Sequence, residues 1–165
     1  MNQMYDKIKK IRLAANVGLW GSLLLIALTI AEHYLAEYVW IHEIVTNDYT
    51  RHLFTIIGLV LAVTDIAVIL FTLRRQLPRL RQMDSVEERL DNYLTLVCSV
   101  YLVTLVVVLI LCAIIVIIRD NTLIMLLLLL FVTLVLNFPN MYKIKSDLGF
   151  DDGVMKQLFG DQYVK

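Results

Sequence analysis

The chain has 165 residues, with 15 basic and 15 acidic side chains, so its formal charge is zero. Apolar residues make up 59% and charged ones 18%, against about 25% charged in an ordinary soluble domain. With a mean hydropathy of +0.74, this excludes a disordered chain, a disulfide scaffold and a typical soluble enzyme. The composition is that of an integral membrane protein.

Four apolar blocks lie along the chain, at 13–31, 53–73, 93–118 and 122–138. A bilayer core takes about 17–25 residues of apolar helix. The blocks are continuously apolar rather than alternating, which excludes a transmembrane barrel. Backbone groups in lipid must pair within their own segment, so each block is expected to be a helix. The expectation is an all-α, polytopic protein: a four-helix transmembrane bundle over residues 1–140, then a short cytoplasmic tail over 141–165.

The first block follows Lys7, Lys9, Lys10 and Arg12 and is followed by Thr29-Ile30-Ala31. Its apolar run exceeds the usual 7–15 residues of a signal-peptide core, so an uncleaved span is expected. The outer loop that follows carries His33, His42 and His52 with Glu32, Glu37, Glu43 and Asp48. His33, Glu37 and His52 are the candidate metal ligands, because imidazole and carboxylate suit zinc and similar ions. Tyr34, Tyr38, Trp40 and Tyr49 interleave with them, and the plainer reading is an interfacial aromatic belt.

The second block contains one acid, Asp65. A carboxylate at mid-membrane costs about 2.5–3.5 kcal/mol, while the block's Leu, Ile, Val and Phe residues supply roughly −4 to −8 kcal/mol. The span therefore inserts with its acid. Thr55, Gly58, Ala62, Asp65 and Thr72 share one small, polar helix face. Ala14, Gly18 and Ser22 form a matching stripe on the first helix. Small residues allow close approach in membranes, so the first two spans are expected to touch through Ala14, Gly18, Gly58 and Ala62. At 1.5 Å per residue, Asp65 lies about 12 Å above Leu73. Tyr101, Ser22 and Thr133 fall at that depth and are its expected partners.

Pro78 is expected to end the second helix. Arg74, Arg75, Arg79 and Arg81 form a juxtamembrane basic cluster suited to anionic lipid. Ser85 and Glu88 form a capping box, which starts the third helix near Val86. Arg119-Asp120-Asn121 is the whole connection to the fourth span, which makes those two helices an antiparallel pair. Pro139 closes the fourth helix, and a short helix is expected over 154–159.

Lys and Arg fall 13 on the side of the termini and two on the other, so both termini are expected in the cytoplasm, as in a bacterial inner-membrane protein. Cys98 and Cys112 are 14 residues apart on one helix, too far to bond. No phosphate loop, hydrolase elbow or kinase signature is present, and no cofactor is expected. The leading expectation is a non-enzymatic subunit, accessory or homo-oligomer of a membrane assembly, with lipid and a protein partner but no nucleic acid. The alternative is a small proton- or cation-linked transporter or channel centred on Asp65.

Overall fold

A computed structural model describes residues 2–35 and 48–160, and its regular elements are all helices. They are α1 (Asn2–Leu35), α2 (Asp48–Arg81), α3 (Val86–Ile118), α4 (Asn121–Leu136), α5 (Met141–Leu148) and α6 (Asp152–Phe159). α1, α2 and α3 are each long and apolar enough to cross a membrane. Each has 33 or 34 residues, or about 50 Å at 1.5 Å per residue, well beyond a core of about 30 Å. α4 has only 16 residues. It becomes a fourth span when joined to α5, from which it is bent by 76°. The chain is a multi-pass membrane protein with three or four spans.

Local signals account for most helix ends. Ser85 is the N-cap of α3, and its hydroxyl accepts the Glu88 amide at 3.5 Å, as the capping box predicts. Asp120 caps α4 through the Thr122 amide at 2.7 Å. Between them Arg119 adopts the left-handed conformation, with φ of +50°, which lets the chain reverse within three residues. Pro78 does not end α2: the helix runs through it to Arg81. The ring removes one amide donor but leaves the following turn intact. That turn is anchored by Leu80, which is buried, and by Arg81.

α3 is the axis of the fold. α1 lies parallel to it along its length: Lys7 meets Glu87 and Asp91, Gly18 meets Tyr101, Gly21 meets Leu105 and Glu32 meets Arg119. The buried stripe of α1 is Ile8, Ile11, Ala15, Gly18, Ser22, Ile26 and Thr29, a seven-residue rhythm that keeps one face on its neighbour. α2 and α4 run antiparallel to α3 on its other flanks.

The small-residue contact is therefore not between the first two spans. A Cβ on Gly18 would lie 2.8 Å from Tyr101 Cδ1, and one on Gly58 would lie 2.9 Å from both Leu123 methyls. Gly18 makes room for a tyrosine on α3, and Gly58 for a leucine on α4. Ala62 is buried in the same core, while Ala14 lies beside the buried stripe on a surface groove.

The tail packs against the helices rather than trailing from them. Ile144, Leu148, Phe150, Met155, Leu158 and Phe159 join Ile8, Ile11, Leu90 and Tyr93 in one apolar cluster. α6 covers the helix expected at 154–159; α5 was not foreseen. α5 is held under the bundle by Arg81, which donates to the Ser146 and Asp147 carbonyls at 2.7 and 3.1 Å, and by the Tyr93 hydroxyl, which donates to Asp147 at 2.9 Å.

Candidate functional site

The apolar core is divided. One buried cluster extends from the termini to Ile69, Tyr101 and Leu134; the other begins at Ile26, Ala62, Val108 and Leu130. Ser22, Asp65 and Thr104 fall between the two. Ser22 and Thr104 are 0% exposed and Asp65 is 4% exposed. Thr104 lies against Asp65. The register of α1 on α3, fixed by Gly18 on Tyr101 and Gly21 on Leu105, puts Ser22 at the level of Thr104.

Asp65 Oδ2, Ser22 Oγ and Thr104 Oγ1 are all buried with no hydrogen-bond partner. Each such group costs about 1–3 kcal/mol. The hydroxyls could have used their own helices. Thr29, Ser99 and Thr133 each donate to the carbonyl four residues back, at 2.8 to 3.0 Å. Ser22 and Thr104 do not. Ser22 and the adjoining Asp65–Thr104 pair thus put three buried oxygens from three helices at about one depth, an arrangement able to bind water, a proton or a small cation.

Two cavities lead to this level from the end that holds the termini. The larger, about 500 Å³, lies between α2 and α3 and is lined by Gln76, Arg79, Asn92 and Thr95, with Thr72 and Ser99 at its depth. The smaller, about 100 Å³, contains Asp65 and is lined by the same Thr72 and Ser99 with Val68 and Val103. Thr72 shares the Asp65 face of α2, seven residues on. Beyond Asp65 the path meets Ala62, Val108, Leu111, Leu123 and Leu127, all buried. Among the described residues, both cavities lie on the side of Asp65 nearer the termini, and the one beside Asp65 is walled mainly by Val68, Ile69, Val100 and Val103.

The expected partners of Asp65 are only partly its neighbours. Ser22 shares its depth. Tyr101 does not serve it: its hydroxyl donates to the Leu134 carbonyl at 3.0 Å. Thr133 is bonded within its own helix. Both correct depths were occupied by groups whose hydroxyls find a carbonyl first. Thr104 was missed, although it lies three residues beyond Tyr101 on the same face of a helix, a readable signal.

The other candidate sites are dispersed. His33 Nε2 lies 2.8 Å from Asn121 Oδ1, and His52 is exposed. Glu37 lies outside the described residues. Among the described residues no three His, Cys, Asp or Glu side chains converge as metal ligands. In the basic cluster, Arg74, Arg75 and Arg79 are exposed, with Arg75 over the Phe71 ring at 5.9 Å. Arg81 is instead committed to the last carbonyls of α5, where a cation suits the negative helix end. No protein-family model, curated protein or solved structure matches this chain.

Proposed function

We propose that this protein is a non-enzymatic, four-span proton- or small-cation-linked transporter or channel in a bacterial inner membrane, with both termini cytoplasmic and Asp65 as the binding group. The observation that carries this reading is the pair of cavities that share Thr72 and Ser99 and end on Asp65. An intramembrane acid facing the bundle interior favours such a role. The open oxygens of Ser22 and Thr104 at the same depth supply further ligands. Cavities on the side of the termini, with buried apolar packing beyond Asp65, support reading this as a state open toward the termini.

The test is ion flux into liposomes carrying the purified protein, under an imposed potential, read with a pH-sensitive dye for protons and a sodium-sensitive dye for sodium. Wild type should move protons or sodium above the level of empty liposomes, and Asp65→Asn, which keeps the shape but not the charge, should abolish it. The competing reading is a subunit or homo-oligomer that works by association alone. It requires Asp65→Asn to alter assembly or stability and wild-type liposomes to show no flux above background; that result would overturn the transport reading.

A further inference from the structure

α1 carries a second set of cavities, on its outer surface and away from Asp65. A groove of about 450 Å³ runs between α1 and α3, lined by Lys10, Leu13, Val17, Cys98, Leu102 and Leu105. A smaller cavity of about 220 Å³ lies between α1 and α6, lined by Tyr5, Lys9, Arg12, Asn16 and Phe159. Leu13 is a wall of both. We propose that together they bind one anionic glycerophospholipid of the adjacent leaflet, with its phosphate on Lys9 and Arg12 and one acyl chain in the α1–α3 groove.

The charge balance selects the headgroup. Lys7 is neutralised by Glu87 and Asp91 at 2.9 and 2.7 Å. Lys9, Lys10 and Arg12 have no carboxylate partner among the described residues. The Arg12 guanidinium lies over the Phe159 ring at 5.3 Å, and both residues line this cavity. Guanidinium is the better shaped of the two cations for a phosphate's oxygens. A helix surface with three uncompensated cations beside an apolar groove repels a cationic ligand and favours an anionic lipid over a neutral one.

The dimensions select the chain. From Leu94 to Leu105, the α3 residues that bound the groove, the rise is about 16 Å at about 1.5 Å per residue. One leaflet's hydrocarbon is about 15 Å, half of the about 30 Å core. The order along α1 is that of a phospholipid: basic residues at 9–12, then apolar wall from Leu13 inward. This site is independent of the Asp65 reading.

Cys98 is a built-in reporter, because a chain in the groove covers it. Its alkylation by N-ethylmaleimide would be followed on the detergent-solubilised protein by peptide mass spectrometry, which separates it from Cys112. Phosphatidylglycerol should slow alkylation more than phosphatidylcholine at the same mole fraction, by at least about fivefold. That is what about 1 kcal/mol for one cation supplies at about 1.4 kcal/mol per tenfold. The preference should vanish in Lys9→Gln/Lys10→Gln/Arg12→Gln and weaken in Lys9→Gln alone, an exposed change, with the lipid-free rate unchanged. Inorganic phosphate should give no protection. Equal slowing by the two lipids would make this an ordinary annular contact, and a preference that survives the triple substitution, or protection by phosphate alone, would likewise overturn the proposal.

Discussion

The Thr55 hydroxyl on α2 donates to Asp120 Oδ2 at 2.7 Å, joining residues 65 apart in sequence. The other Asp120 oxygen accepts the Thr122 amide and starts α4. On either side, Arg119 reaches Glu32 at 3.6 Å and Asn121 meets His33 at 2.8 Å. Arg119, Asp120 and Asn121 thus tie α3 and α4 to both other long helices at the end away from the termini.

Asp120 makes this junction pH-sensitive. Partial burial pushes its carboxyl up, but the Thr55 hydroxyl and the Thr122 and Leu123 amides outweigh it and hold the group below its ordinary value of 3.8. Because the folded value is depressed, the stabilisation is fully present above the unfolded value and is lost as pH falls through the folded one. Thr55→Val should cost about 1 kcal/mol at pH 7, at the low end for a bond to a charged, partly exposed group. The gap from wild type should close below pH 4 in detergent unfolding. A gap that is constant from pH 3 to pH 7 would remove Asp120 as its cause.

Gly18 should tolerate no side chain. A methyl there would lie 2.8 and 2.9 Å from Tyr101 Cδ1 and Cβ, and the latter is fixed to the backbone of α3. Gly18→Ala should therefore destabilise the bundle by about 1–3 kcal/mol. At Gly21 the nearest atom is a Leu105 methyl at 3.2 Å, the free end of a flexible side chain, so Gly21→Ala is the matched control and should lose much less. If the two variants unfold alike, α1 and α3 are not in close contact at Tyr101.

Tyr93→Phe should release the tail. Asp147 is buried, and its two charged-side contacts are the Tyr93 hydroxyl at 2.9 Å and Lys143 at 3.4 Å. Without the hydroxyl, one carboxylate oxygen loses its donor inside the protein, at about 1–3 kcal/mol. Limited proteolysis around Gly149 should speed up in the variant while α1–α3 packing persists. Equal cleavage rates would mean that α5 is held by Arg81 and Ile144 instead.

Orientation is testable by labelling. With 13 of the 15 basic residues expected on the side of the termini, a cysteine replacing Gln162 should resist a membrane-impermeant maleimide on intact cells, and one replacing Asn47 should react. The opposite pattern would invert the topology.

The helices and several of their ends were readable in sequence because those signals are local. The apolar blocks mark α1, α2 and α3, and Ser85 with Glu88 marks one start to the residue. Partner choice was not readable in the same way. Small stripes at Gly18 and at Gly58 look alike, and nothing near either says that the first receives Tyr101 and the second Leu123. The depth argument reached the right level for Ser22 but could not tell that Tyr101 spends its hydroxyl on Leu134. α5 was hidden because its eight residues carry little apolar signal, although Asn140 as N-cap and Gly149 in the left-handed conformation frame it. Pro78 misled because a proline near a helix end forfeits a single bond, which Leu80 and Arg81 compensate.

The parallel seating of α1 on α3 imposes an order on synthesis. α1's buried face, including Ser22 and Thr29, has its principal partner on a helix completed only when Ile118 has been made. The roughly 80 residues between the two helix ends take about 4–16 s to translate at about 5–20 residues per second. For that interval the first helix waits in the bilayer with its hydroxyls and glycines turned toward lipid or toward the insertion machinery. A nascent chain stalled after α2 should therefore crosslink to that machinery through position 18 or 22, and one stalled beyond α3 should not: the bundle closes from its third helix, not its first.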